Sequence, residues 1–289
     1  MPLVSANGIE LCYEERGTGE PLVLVHGIGA QLVYWRDELL DALAAAKFRV
    51  ICFDNRDSGL STKLDGTRAP PLADMLARRV LRVPIRAPYT LFDMADDVVA
   101  LCDGLGIDRA HVLGVSMGGM IAQSVAIRHP HRMKSLVSVM SHTGDLAHLV
   151  SSPRALGVLL GKAPASRDEA LTRAEEFYRT VGSTGFALDM ASLRDRAARA
   201  YDRAFYPQGF ARHLAAILAS GSRTQALARV RVPSLVVHGT ADPLVRAKGG
   251  RDTARAIPSA RLLMIEGMGH DLPEGAWPTL VSAVARLAE

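Results

Sequence analysis

The chain is poor in cysteine and has no apolar run long enough to cross a membrane. Its 289 residues include three cysteines, which stand apart in apolar surroundings at Cys12, Cys52 and Cys102. An odd number without a C-x-x-C pair argues against a disulfide framework, so we expect buried thiols in a reducing compartment. No stretch of about 18 apolar residues occurs, so no integral membrane segment is predicted. The N-terminus lacks the basic start and apolar stretch of a secretory signal, and a cytoplasmic protein is therefore predicted.

The signatures of metal, nucleotide and nucleic-acid binding are also missing. The sequence contains neither H-E-x-x-H nor an EF-hand pattern, so no metal site is predicted. No glycine-rich segment completes G-x-G-x-x-G or a P-loop, so no nucleotide and no other cofactor is expected. The net charge of +4 comes from arginines interleaved with acidic residues. Because there is no basic block and no basic-aromatic stretch, nucleic acid is not expected as a partner.

Apolar, strand-like segments alternate with helix-like segments along most of the chain. Residues 22–25 are continuously apolar, as expected for a strand buried on both faces. Similar segments occupy residues 9–15, 48–53, 110–115, 134–140, 234–237 and 261–265. The alternation predicts an α/β fold in which helices cover both faces of a mostly parallel central sheet.

A long segment, residues 141–229, interrupts this alternation and shows only amphipathic helical patterns. Leu171, Ala174, Tyr178 and Val181, for example, fall on one helical face. Ligand sites in open α/β sheets lie at the carboxyl edge of the strands, so we predict that these helices form a cap over that edge. The predicted domains are therefore a core built from residues 1–140 and 230–289 and a helical cap from residues 141–229.

A shorter insertion, residues 63–88, contains a basic amphipathic pattern. We interpret this pattern as a lid or surface helix, with docking on an anionic membrane as the alternative.

Residues 114–118 read Gly-Val-Ser-Met-Gly, a G-x-S-x-G pentapeptide between a predicted strand and a predicted helix. In that context the serine sits in a tight, strained turn, and its flanking glycines avoid collisions with the neighbouring strand and helix. We therefore predict that Ser116 is a catalytic nucleophile. A serine hydroxyl needs a base to remove its proton, and the base needs a third group to orient it.

His270 and Asp242 are the predicted partners of Ser116. His270 lies in a glycine-flanked loop after the last predicted strand, and Asp242 follows the preceding strand. The chain order Ser, Asp, His is that of a known hydrolase triad. Asp145 is a second candidate for the acid. His142 follows a strand end and is expected to line the pocket without acting as the base.

The segment His26-Gly27-Ile28-Gly29 follows a predicted strand and can direct backbone N–H groups towards an oxyanion. The predicted oxyanion hole consists of the N–H groups of Ile28 and Met117, and the turn positions Gly27 and Gly29 are expected to contact substrate. In the loop after residue 53, Asp54 and Asp57 are expected to form a local ion pair with Arg56.

Five segments together resemble the α/β-hydrolase fold superfamily. They are residues 26–29, 54–61, 114–119, 238–242 and 267–270. The nearest resemblance is to capped bacterial carboxylesterases, including methylesterases of polyketide antibiotic pathways. The insertion at residues 63–88 is longer than the corresponding loop usually is in such proteins.

The predicted activity is hydrolysis of a small-molecule carboxylic ester through an acyl-enzyme. Three alternatives would keep the same triad: hydrolysis of lactones, hydrolysis of carbon–carbon bonds, and cofactor-free haloperoxidase or perhydrolase chemistry. Epoxide hydrolases and haloalkane dehalogenases of this resemblance need aspartate at the position of Ser116, which excludes them. A non-catalytic ligand receptor is the remaining class and would be expected to have a broken triad. Neither the substrate nor the oligomeric state follows from the sequence.

Overall fold

The computed structural model describes residues 1–149 and 151–289, and these form one eight-stranded sheet. The strands, in chain order, are β1 Leu3–Ala6, β2 Ile9–Arg16, β3 Glu20–Val25, β4 Phe48–Phe53, β5 Ala110–Val115, β6 Met133–Val139, β7 Ser234–Gly239 and β8 Ala260–Ile265. Their order in the sheet is β1-β2-β4-β3-β5-β6-β7-β8. The pairs β1–β2 and β2–β4 are antiparallel, and all the others are parallel. The predicted fold class is therefore confirmed.

Eleven α-helices lie within the described residues. They are α1 Asp37–Ala45, α2 Leu72–Val80, α3 Leu91–Gly104, α4 Met117–Arg128, α5 Pro153–Leu160, α6 Arg167–Val181, α7 Met190–Arg203, α8 Pro207–Ser220, α9 Thr224–Leu227, α10 Ala247–Ala256 and α11 Trp277–Ala288. The first strand and α5 had no clear signal in the sequence. β1 has only four residues at the edge of the sheet, and α5 combines Pro153 with an internal glycine, Gly157.

The core lies on both faces of the sheet because successive strand residues point to opposite sides. Val23 and Val25 pack in a cluster with residues of α3 and α4. Leu22 and Leu24 pack on the other face with residues of α1 and α11. This arrangement explains why β3 is apolar at four successive positions, and it holds the carboxyl ends of the parallel strands along one edge.

The loop after β4 does not contain the local ion pair that the sequence suggested, and that prediction was wrong. Arg56 instead forms two hydrogen bonds with Asp97 of α3, at 2.6 and 2.5 Å. Asp54 accepts from Arg203 of α7, and Asp57 pairs with Arg212 of α8. The loop folds into tight turns, with Asp57 at a φ of 64°, and each of the three charged side chains has a partner distant in sequence. Two of these pairs attach residues 141–229 to the sheet.

Helices α5 to α8 come from the segment between β6 and β7, and α5, α6 and α7 pack on one another in chain order. Leu227 of α9 and Ala216 of α8 both belong to the cluster on the face of α3 and α4.

The shorter insertion, residues 63–88, forms α2, which packs on α8 through Met75. The guanidinium of Arg79 on α2 donates to the carbonyl of Gly144, which ties this helix to the loop after β6. Among the described helices, none has the length and apolarity needed to cross a bilayer.

Candidate functional site

Ser116 stands at the turn between β5 and α4 in a backbone conformation that few non-glycine residues adopt. Its φ and ψ angles are 56° and −119°. A Cβ at Gly118 would collide with the carbonyl oxygen of Val25, and one at Gly114 would collide with that of Gly118. The two glycines of the pentapeptide are therefore steric requirements of the turn. Strain of this kind persists only where the surrounding structure holds it, and it is concentrated at functional sites.

The structure brings Ser116, His270 and Asp242 together in one chain of hydrogen bonds. His270 Nε2 lies 3.0 Å from Ser116 Oγ, and His270 Nδ1 lies 2.7 Å from Asp242 Oδ2. The second oxygen of Asp242 accepts the backbone N–H groups of Leu244 and Val245 at 2.9 and 2.8 Å. Because a carboxylate can only accept, Nδ1 of His270 carries a proton and Nε2 is left to accept from the serine hydroxyl.

The loop that carries His270 is held by the end of α6. The backbone N–H of His270 donates to the carbonyl of Val181, and that of Gly269 donates to Ser183 Oγ. The hydroxyl of Ser183 in turn donates to Asp271 at 2.5 Å. The inserted segment therefore positions the imidazole, a role that no motif in the sequence indicated.

Two backbone N–H groups beside Ser116 have no acceptor among the described residues. In the loop after β3, Gly27 donates to His26 Nδ1 and Gly29 donates to His213 Nδ1, which leaves the N–H of Ile28 free. Met117 is the first residue of α4, where an N–H has no acceptor within the helix. A Cβ at Gly27 would lie 3.3 Å from the Cβ of Ser116, which shows how closely this loop approaches the serine.

His213 of α8 holds the loop that carries Ile28. It accepts from the N–H of Gly29 at 3.1 Å, and its Nε2 donates to the carbonyl of Arg56 at 2.7 Å. Burial lowers the pKa of His213 to about 4, so the ring is neutral and can accept on one nitrogen. The sequence offered no partner for this histidine.

Comparison with known proteins identifies the family of the chain. A family model described as the alpha/beta hydrolase fold matches residues 20–275. The chain belongs to the α/β-hydrolase fold family. The predicted resemblance is thereby confirmed.

Relatives of this α/β hydrolase include hydrolases of several kinds. The rhodomycin D methylesterase DnrP of Streptomyces peucetius is 28% identical over 98% of this chain and 97% of its own length. Among solved structures, the enol-lactonase of Burkholderia xenovorans LB400 is 25% identical, with a TM-score of 0.71 and 99% of each chain covered. A meta-cleavage product hydrolase of Pseudomonas fluorescens IP01 has a TM-score of 0.77 over 99% of this chain and 97% of its own. At 19% identity, that last likeness shows the fold alone.

Ser116 and His270 of the α/β hydrolase open into a cavity of about 780 Å³. Every side chain that lines it from α2 and α8 is apolar: Leu72, Leu76, Leu214, Ile217 and Leu218. Side chains of α5, α6 and α7 also line the cavity. The cavity is large enough for a drug-sized ligand and mostly apolar, as ligand sites usually are.

The remaining sequence candidates occupy supporting positions. Gly27 lines the cavity, whereas Gly29 lies behind its wall and serves to hold the loop through His213. His142 lines the cavity as expected, and burial lowers its pKa to about 3. Asp145, the second candidate for the acid, is not hydrogen-bonded to His270. Its carboxylate accepts hydrogen bonds from the hydroxyls of Thr143 and Thr224.

Proposed function

We propose that the protein is a serine hydrolase that cleaves small-molecule carboxylic esters through an acyl-enzyme. The observation that carries the proposal is the bridge formed by His270 between Ser116 Oγ and Asp242 at the floor of an apolar cavity. A base within hydrogen-bond reach of a serine, itself oriented by a carboxylate, is the arrangement that activates a hydroxyl for attack.

In the proposed reaction, Ser116 Oγ attacks the ester carbonyl carbon while His270 Nε2 accepts the hydroxyl proton. The negative charge that develops on the carbonyl oxygen is stabilised by the free N–H groups of Ile28 and Met117. Collapse of the tetrahedral intermediate breaks the bond to the alkoxy oxygen, which leaves as an alcohol after taking the proton from His270. A water molecule, deprotonated by His270, then attacks the acyl-enzyme and releases the acid. Asp242 stabilises the imidazolium in both halves of the reaction.

Residues 141–229 act as a cap in this proposal, and residues 1–140 and 230–289 form the core that carries the proposed triad. The cap and the core both supply apolar side chains to the wall that would hold the acyl and alcohol parts of the substrate. It also supports the base, through the hydrogen bonds from the His270 loop to Val181 and Ser183. The methylesterase among the relatives supports an ester substrate, and lactones are cyclic esters that the same residues could open.

A test combines ester turnover with labelling of the serine. We expect the protein to hydrolyse p-nitrophenyl and methyl esters and to form one covalent adduct with a fluorophosphonate, located at Ser116 by mass spectrometry. Ser116→Ala should abolish the covalent adduct and reduce ester turnover to a small residue. Without the nucleophile, only substrate binding and the oxyanion hole still accelerate the reaction. Ser151, the other serine that lines the cavity, provides the matched control, and Ser151→Ala should keep the label. Turnover that survives Ser116→Ala would show that Ser116 is not the nucleophile.

A further inference from the structure

One side of the cavity carries a group of polar side chains that the proposed reaction does not use. His26 and Tyr34 come from the chain after β3, Tyr178 from α6 and Arg196 from α7, and all four line the cavity. They contrast with the wholly apolar lining from α2 and α8. His26 precedes Ile28 by two positions in the same loop, and both residues line the cavity. The polar group therefore borders the place where the ester carbonyl would bind.

Arg196 has no ionic partner among the described residues. Its Nη1 donates to Ser192 Oγ at 2.5 Å, and its Nε is buried without any hydrogen-bond partner. Burial lowers the pKa of Arg196, and the nearby Tyr178 and Asp189 offset that effect only in part. Arg196 is half-buried, and leaving its buried Nε without a partner is costly to the protein, so a ligand group that accepts hydrogen bonds would lower this cost.

The acidic side chains that line the same cavity are already engaged. Asp189 caps α7 through the N–H of Ser192 and lies 4.0 Å from Arg36. Glu274 pairs with Arg36 at 3.3 Å, and Asp271 accepts from the hydroxyl of Ser183. None of these carboxylates lies within ion-pair distance of Arg196 in the described structure, so Arg196 has no direct acidic partner there.

The other three side chains of the group, His26, Tyr34 and Tyr178, are neutral and can donate hydrogen bonds to a ligand. His26 Nδ1 accepts a hydrogen bond from the N–H of Gly27. Burial, and to a smaller extent the charge of the nearby Arg196, lowers the pKa of His26 to about 3. The ring is therefore neutral and carries its proton on Nε2, where it can donate. Burial raises the pKa of both tyrosines, so their hydroxyls stay protonated.

We propose that this group, with Arg196 at its centre, binds a carboxylate on the substrate, so that the preferred esters are half-esters of dicarboxylic acids or similar anionic esters. The proposal rests on the proposed ester hydrolysis and names its substrate class. A guanidinium with adjacent N–H and O–H donors matches the planar oxygens of a carboxylate. The apolar wall from α2 and α8 would hold the remaining part of the molecule.

The test measures binding in the Ser116→Ala protein, so that it does not depend on turnover. Monomethyl half-esters from butanedioate to octanedioate are compared with the methyl alkanoates of equal chain length. Binding is followed by the fluorescence of Trp35, which lines the cavity and lies 4.8 Å from the His26 ring, centroid to centroid. We expect at least one half-ester to bind about tenfold to 100-fold more tightly than its neutral counterpart, the range for a charge-assisted hydrogen bond.

Adding Arg196→Met should bring the two affinities close together, and Arg196→Lys should restore part of the difference. Arg199 of the same helix pairs with Asp195 at the surface, so Arg199→Met is the matched control and should preserve the difference. The proposal would be overturned if the Ser116→Ala protein bound half-esters and methyl alkanoates equally well. It would also be overturned if the preference for half-esters survived Arg196→Met. If Arg196→Met lowers the melting temperature, the comparison is made with Arg196→Lys instead. That variant should keep part of the affinity difference between half-ester and neutral ester, and a difference equal to that of the unchanged protein or no difference at all would overturn the proposal. Failure of the active protein to hydrolyse any ester would instead count against the proposed function.

Discussion

Replacing Arg212 with methionine should destabilise the protein strongly, because it leaves a buried carboxylate without its cation. Arg212 Nε and Nη2 each lie 2.7 Å from an oxygen of Asp57, and both side chains are almost fully buried. Asp57 also accepts the hydroxyl of Tyr89 and the N–H of Leu64, each at 2.8 Å. This pair joins α8 of the proposed cap to the loop after β4.

The size of the effect follows from what remains around Asp57. Removing one partner of a buried ion pair costs about 3–5 kcal/mol. Since Tyr89 and Leu64 would still donate, we expect the lower end, about 3 kcal/mol at pH 7. For a chain of this size each kcal/mol lowers the melting temperature by about 2–4 °C, so the variant should melt roughly 6–12 °C lower.

The loss should depend on pH in a defined direction. Burial alone would raise the pKa of Asp57, but the hydrogen bonds from Arg212, Leu64 and Tyr89 outweigh it and the pKa is lowered. A carboxylate with a lowered pKa contributes stability above its unfolded pKa and loses that contribution as the pH falls through its folded pKa. Without Arg212 this contribution disappears, so the deficit of the variant should be largest at neutral pH and should shrink below about pH 4.

Urea unfolding at a series of pH values, followed by tryptophan fluorescence, measures both effects. Arg167 and Asp202 form a bidentate pair of similar geometry at the surface, and Arg167→Met should leave the midpoint unchanged. The double variant Asp57→Asn/Arg212→Met should recover part of the loss because no charge stays buried. A loss below about 1 kcal/mol, or one that does not shrink as the pH is lowered below about 4, would refute this reasoning.

Three further predictions concern the site. Asp242→Asn should lower kcat for ester hydrolysis about 1,000- to 10,000-fold through loss of the correct imidazole tautomer, and steady-state rates within tenfold of the original would contradict the proposed role. His213→Leu removes the acceptor of Gly29 N–H and should lower kcat about tenfold by loosening the loop of Ile28; an unaltered kcat would show that this loop needs no such support. Gly118→Ala should prevent folding, because the added Cβ meets the carbonyl oxygen of Val25, and circular dichroism showing an unchanged melting temperature would disprove the steric argument.

Sequence patterns and the structure agree where local chemistry determines the outcome. The apolar run of β3 and the pentapeptide around Ser116 need particular residues at fixed local spacing, so they could be recognised before any contact was known. The loop of Asp54, Arg56 and Asp57 shows the opposite case. Its three charges suggested a local ion pair, yet each found a partner on a different helix, because a fully buried charge takes whichever opposite charge the tertiary packing supplies.

The sequence alone determined the fold class, the strained turn at Ser116 and the chain order of Ser116, Asp242 and His270, since hydrophobic periodicity and steric limits act over a few residues. Only the tertiary structure decided that Val181 and Ser183 hold the loop of His270, that His213 holds the loop of Ile28, and that Arg196 lines the cavity with its Nε unpaired. Those contacts join residues tens to hundreds of positions apart. The G-x-S-x-G turn and its partners thus support a reaction type, whereas the proposed substrate class depends on side chains that are brought together only by folding.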